Sequence, residues 1–248
     1  MPTKQSVITL HPKSVIKIPS AIAIFLVIAN VLFNFVKYIT GDRFFYGLIP
    51  LFQLSAENNI PAFFSGCLFL INAALLILIW KAKRINADPQ TIWAFLSGLF
   101  LFLAFDELFK VHELLIDPLR ETLGTFGLLY FAWVIVYGAG VVLLSFLFFP
   151  VWWRLNKTVK LWLALSAIIY LGGALGFEMV GGAYFEAIEQ KGDLIYGALY
   201  TIEESLEMAG LIMFIYALLL LLQKEFDEVT IIISDKKRQV CLQLPYWV

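Results

Sequence analysis

Apolar residues fall in six long runs, centred on residues 17–38, 60–82, 91–113, 122–149, 159–185 and 194–222, with polar residues gathered between them. A helix needs roughly 20 apolar residues to cross a bilayer core about 30 Å thick. Each run therefore predicts one spanning helix, and the whole pattern predicts an all-α integral membrane protein, a six-helix transmembrane bundle. Residues 1–16 read as a short N-terminal segment, 17–227 as the bundle and 228–248 as a tail of another kind. The first run lacks a small-residue cleavage site, so it predicts a retained span and not a cleaved signal. In the tail, two β-prone runs flank the polar turn Asp235-Lys236-Lys237, which predicts a short β-hairpin. A lone hairpin is marginal in water, so it is expected to dock on the bundle or on a second copy of the chain, in a homo-oligomer. Pro89 and Pro150, with Asn86, predict turns over 85–90 and 151–158. The loop 39–59 is apolar for a loop, with Phe44, Phe45, Tyr46, Leu48 and Phe52, and is expected to lie on the membrane or fold over the bundle.

Charge orients the pattern. Placing the N-terminus in the cytoplasm puts Lys4, Lys13, Lys17, Lys81, Lys83, Arg84, Arg154, Lys157, Lys160, Lys224, Lys236, Lys237 and Arg238 inside, most of the 18 Lys and Arg. By the positive-inside rule both termini are expected to be cytoplasmic (N-in/C-in), with the tail hairpin cytoplasmic too, in a plasma or inner membrane of bacterial type. Trp80, Trp93, Trp152, Trp153 and Trp162 fall at the same boundaries, where indoles favour the headgroup level. The composition agrees, at 61% hydrophobic and 15% charged. A net charge of −1 gives no support to nucleic-acid binding. Cys67 lies in a span and Cys241 in the tail, so no disulfide or thiolate metal site is expected.

The chemistry sits at the opposite face. Asp106, Glu107, His112, Glu113, Glu178, Glu186, Glu189, Glu203, Glu204 and Glu207 all lie in or beside the ends of apolar runs that this topology places there. An Asp at a helix centre costs ~2.5–3.5 kcal/mol on insertion scales, so such groups persist where they share a proton, a cation or water. At 1.5 Å per residue, Asp106 lies about 22 Å beyond Thr91 and Glu207 about 24 Å from Gln223, nearly equal depths. By this measure Asp106, Glu107, Glu204 and Glu207 are deepest and Glu178 and Glu203 rim partners, while Glu186 and Glu189 fall in solvent. Helical spacing predicts one stripe of Asp106, Lys110 and Glu113 with His112 off it, and a second of Tyr196, Tyr200, Glu203, Glu204 and Glu207 facing the interior. The small residues Gly172-x-x-x-Gly176 and Gly181-Gly182 predict close helix contact around Glu178.

Carboxylates so close cannot all be ionised together unless a cation joins them. The expected metal ligands are Asp106, Glu107, His112, Glu178, Glu203, Glu204 and Glu207, a donor set suited to a divalent metal ion such as Ca²⁺, Mn²⁺, Fe²⁺ or Zn²⁺. Tyr200 and Glu113 are candidates to meet substrate or a proton. The paired Glu-x-x-His motifs of di-iron bundles are absent, since His112 follows Glu107 by five residues. Three functions fit: a metal-dependent membrane enzyme acting on an apolar or lipid-linked substrate, a proton- or cation-coupled transporter or channel, and a non-catalytic assembly or sensor protein. Below Glu207 the run offers only Tyr216 as a polar group, and the third run only Ser97. That favours a blind extracytoplasmic pocket over a conduit, with membrane lipids and a lipid-linked or cationic small molecule as expected partners.

Overall fold

Six helices of the computed structural model are long and apolar enough to cross a membrane: α1 (Pro12–Thr40), α2 (Ile60–Ile85), α3 (Ile92–Phe109), α4 (Trp133–Arg154), α5 (Lys157–Ala187) and α6 (Leu194–Glu225). The structure describes residues 11–56, 58–85 and 90–226, and the backbone of Thr230–Ile231 and Leu242–Gln243. Those last two pieces pair antiparallel. The remainder of the tail, on which the expected hairpin falls, lies outside the described residues, as do 1–10, Cys241 and the 86–89 part of one expected turn.

α6 is the central helix and packs against α1, α2 and α5. Its most apolar window is 56% buried, against 6% for α4, which stands at the periphery. Trp93, Leu76, Ile79, Val159, Leu218 and Leu221 form an apolar core at one end of the bundle. That end carries the basic residues, and there Lys83 of α2 pairs with Glu225 of α6. A second apolar cluster around Phe69, Met208, Leu211 and Ile215 sits between this core and the opposite, acidic end. Within the apolar interior, Asn72 of α2 donates to the Leu211 carbonyl of α6 at 3.2 Å and Ser97 of α3 to the Ala73 carbonyl of α2 at 2.8 Å. Such interhelical hydrogen bonds contribute about 0.6 kcal/mol each.

Several boundaries depart from the hydropathy runs. The third was expected to continue to residue 113, but α3 stops at Phe109 because Lys110 takes a left-handed conformation at φ 52°. Lys110 and Glu113 therefore do not continue a helical stripe from Asp106. The fourth run was expected over 122–149. Gly124 and Gly127, both at positive φ, instead separate a short helix, Ile116–Leu123, from α4, which starts at Trp133. Pro150 marks no turn. It lies inside α4, which continues to Arg154, and α5 begins three residues later, capped by the Asn156 side chain accepting from the Thr158 N–H. Near its middle α5 contains one stretch of π-helix, Gly172–Phe177.

The segment between α1 and α2 folds over the acidic end as a roof. Asn30 of α1, fully inside the bundle, accepts from the Leu54 N–H at 3.0 Å and donates to Thr201 of α6 at 2.9 Å. Asn59 caps α2 by accepting from the Ala62 N–H, while its amide donates to the Gln53 and Pro50 carbonyls. One asparagine thus ties the roof to two spans, and another ties it to a third.

Candidate functional site

The end of α3 sets the centre of the site. With Lys110 turned left-handed, the chain doubles back and the Asp106 carboxylate accepts the backbone N–H of His112 at 2.7 Å. The same oxygen lies 3.1 Å from His112 Nδ1, and the other accepts the Tyr137 hydroxyl of α4 at 2.8 Å. With Nδ1–H assigned to Asp106 by this network, Nε2 is the nitrogen left for the cavity. His112 lies outside the spanning helices. Burial by itself would lower the proton affinity of its imidazole, but the Asp106 hydrogen bond and charge, with Glu178 and Glu113 beyond, raise its pKa above the ordinary value.

Trp133, at the start of α4, packs on His112 with ring centroids 4.7 Å apart and donates from its indole to Glu178 at 2.8 Å. Glu203 of α6 lies beside Glu178. Glu178 and Glu203, expected near a rim, are 8% and 5% exposed, as closed to solvent as Asp106 at 4%. The cause is covering: Trp133 lies over Glu178, and Gly181 leaves room for Glu203 and Tyr196 beside it.

These groups line a cavity of about 140 Å³ at the acidic end. A single water needs roughly 10–15 Å³, so it holds several waters or a small polar group. Asp106, Glu107, His112, Glu113, Glu178, Tyr200, Glu203, Glu204 and Glu207 all lie on its wall. Among the described residues, no Lys or Arg lines it. Lys110, whose charge reaches Glu204, pairs with Glu113 at 2.9 Å on the rim. Glu186 accepts the Gly127 N–H at 2.6 Å and steadies the turn before α4, while Glu189 is exposed and pairs with Lys191.

Glu107, Glu204, Glu207, Tyr170 and Tyr200 differ from the rest. They face the cavity, and among the described residues none makes a hydrogen bond to the protein. Polar groups at such depth are nearly always paired, to protein, water or ligand. Among the described residues, no three His, Cys, Asp or Glu side chains are arranged to hold a metal ion.

Close approach does form around Glu178, in part through the expected pair, since a Cβ at Gly182 would fall 2.9 Å from the Phe131 ring and Gly181 faces Glu203, but the tightest helix–helix contacts use other glycines. A Cβ at Gly172 would meet nothing within 4 Å, whereas one at Gly173 would fall 2.7 Å from the Glu203 carbonyl oxygen. Gly210 of α6 is equally tight, 2.6 Å from Tyr170 Cβ. The π-helical turn shifts the register by part of a turn, so the residue facing α6 is not the one an α-helix would present. Trp133, Tyr137 and Tyr170 were not anticipated as site residues. The four-residue step from Trp133 to Tyr137 was the available signal, one amphipathic face at the start of a span.

No curated protein and no solved structure matches the chain. Residues 20–222 match a family model described as a domain of unknown function, and the chain belongs to that family, DUF8692.

Proposed function

We propose that this is an integral membrane protein, N-in and C-in with the tail at the cytoplasmic face, whose extracytoplasmic pocket holds the cationic polar group of a small molecule. The bias of Lys and Arg, with the indoles beside them, supports the orientation. The observation that carries the pocket is the set of side chains without hydrogen-bond partners in the protein, Glu107, Glu204, Glu207, Tyr170 and Tyr200, facing one cavity whose described wall has no Lys or Arg. Carboxyls supply charge, and the faces of Trp133, Tyr137 and the phenols supply the aromatic surfaces that ammonium groups favour. The Asp106–His112 pair, oriented through Nδ1, is positioned to take up or return a proton at Nε2. The apolar core below supports a blind pocket rather than a conduit.

A divalent metal ion is the second reading. An imidazole held through one nitrogen by a carboxylate is also how metal-ligating histidines are oriented. Titration calorimetry on the purified full-length protein separates the two, with n-butylammonium in one series and Zn²⁺, Mn²⁺ and Ca²⁺ in another. The ammonium reading expects saturable binding that weakens at least tenfold in a Glu204→Gln/Glu207→Gln variant. Absence of ammonium binding overturns it, and stoichiometric metal binding lost in that variant would put the ion in its place.

A further inference from the structure

Apolar side chains of α3, α4 and α5 also line the cavity, namely Leu103, Val141, Leu171 and Leu175. α4 lines the cavity through Trp133, Tyr137 and Val141, which lie on successive turns of one face. It is anchored above by Trp133 on His112 and Glu178, and below by Phe148 set edge-on against Trp93 at 5.4 Å. Between these anchors, side chains built at Gly138 or Gly140 would meet nothing within 4 Å. On α5, Gly172 and Gly176 follow Leu171 and Leu175. Gly172 is equally open, and a Cβ at Gly176 would touch only a carbonyl of its own helix at 4.0 Å. These glycines lie off the cavity lining, Gly140 and Gly176 on exposed faces, so this side of the pocket is covered by small residues and by the least buried of the long helices, α4. At 1.5 Å per residue, Tyr137–Val141 lie roughly 6–12 Å inside the end of α4, a depth that faces hydrocarbon and not water. Towards α1 and α2 the pocket is closed by the roof, with Leu54 buried and pinned by Asn30.

We infer that the pocket is loaded sideways from the bilayer between α4 and α5, and that its ligand is a single-chain amphiphile with an ammonium headgroup. The inference rests on the cation reading above and adds the class of molecule and its route. The headgroup sits among Glu107, Glu204 and Glu207, with the phenols of Tyr170 and Tyr200 as hydrogen-bond partners. The chain leaves past Val141 and Leu175 into lipid. Size agrees: sites that enclose a whole drug-sized ligand run to ~300–1,000 Å³, whereas about 140 Å³ takes a headgroup and leaves its chain outside. Charge complementarity selects the headgroup, and the apolar, glycine-flanked wall selects the chain.

The test compares n-butylamine with dodecylamine on the full-length protein in nanodiscs, with free concentrations corrected for partitioning. Three variants accompany the wild type. Gly138→Phe and Gly172→Phe fill the gap, and Val142→Phe on the exposed face of α4 controls for altered partitioning. The expected result is dodecylamine binding at least 100-fold tighter than butylamine, with that advantage falling at least tenfold in the two gap-filling variants. Butylamine affinity and the Val142→Phe profile should stay unchanged. Butylamine binding without a chain-length advantage, or an advantage that the gap-filling variants leave intact, overturns the lateral route while the cation reading stands. If neither amine binds, both fall.

Discussion

Replacing Gly173 by alanine should separate α5 from α6 and disturb the pocket with it. The new Cβ would stand 2.7 Å from the Glu203 carbonyl oxygen and 3.1 Å from both Leu206 Cβ and Glu207 Cγ. Comfortable carbon–oxygen contacts begin near ~3.3 Å, so the helices must part by about half an ångström or more. The nearest atom is backbone and cannot rotate away. Forced overpacking of this kind costs ~1–3 kcal/mol. At 1.4 kcal/mol per tenfold, a cost of about 2 kcal/mol lowers the folded-to-unfolded ratio roughly 30-fold. The adjacent residue provides the control. Gly172→Ala meets open space and should stay within about 0.5 kcal/mol of the wild type. Reversible unfolding in mixed micelles, followed by tryptophan fluorescence as the denaturing detergent fraction rises, measures both. The reasoning is refuted if Gly173→Ala unfolds with the wild type, or if Gly172→Ala loses as much stability. Because the displaced atoms belong to Glu203 and Glu207, butylammonium affinity should fall in Gly173→Ala and hold in Gly172→Ala.

Asn30→Ala should loosen the roof. It strips the Leu54 N–H of its buried acceptor, a loss of ~1–3 kcal/mol, and hydrogen exchange should quicken at Leu54–Ala56 while the middle of α6 stays protected. His112 gives a pH signature of definite sign. Its folded pKa is raised, so the stability it contributes is complete below its unfolded value of about 6.5 and is lost as pH rises through the folded value. Thermal unfolding between about pH 6 and pH 9 should show that loss in the wild type and a flatter profile in Asp106→Asn; equal slopes would contradict the pairing. Gly210→Ala, 2.6 Å from Tyr170 Cβ, should destabilise about as much as Gly173→Ala. Combined, the two should cost less than their sum, since one separation of the helices relieves both contacts.

Much of the site could be read from the chain. The stripe of Tyr200, Glu203, Glu204 and Glu207 faces the interior, because lipid would not tolerate it, and the cavity wall carries all four. The equal depth assigned to Asp106 and Glu207 brings them to one cavity. Helical spacing places His112 off the Asp106 stripe, whereas the chain reversal after Phe109 brings it back onto Asp106. A left-handed residue cannot be read from a lysine, whose intrinsic preference opposes it. The contact expected at Gly172 falls instead at Gly173 for a similar reason, since a π-helical turn redirects the residues within it.

The hydropathy of this chain determines its six spans, since hydrocarbon forces every backbone group into helix and requires a fixed apolar length. It also keeps most charged residues near the helix ends, since charge is costly at the centre. Only the tertiary structure decides which acids touch: Asp106 with His112 and Tyr137, Glu178 with Trp133 and Glu203, and three glutamates and two tyrosines without hydrogen-bond partners in the protein in the cavity between them. Depth is a sum over residues and survives local irregularity, whereas contact depends on rotation about each helix axis. Here one left-handed lysine and one π-helical turn reset that rotation.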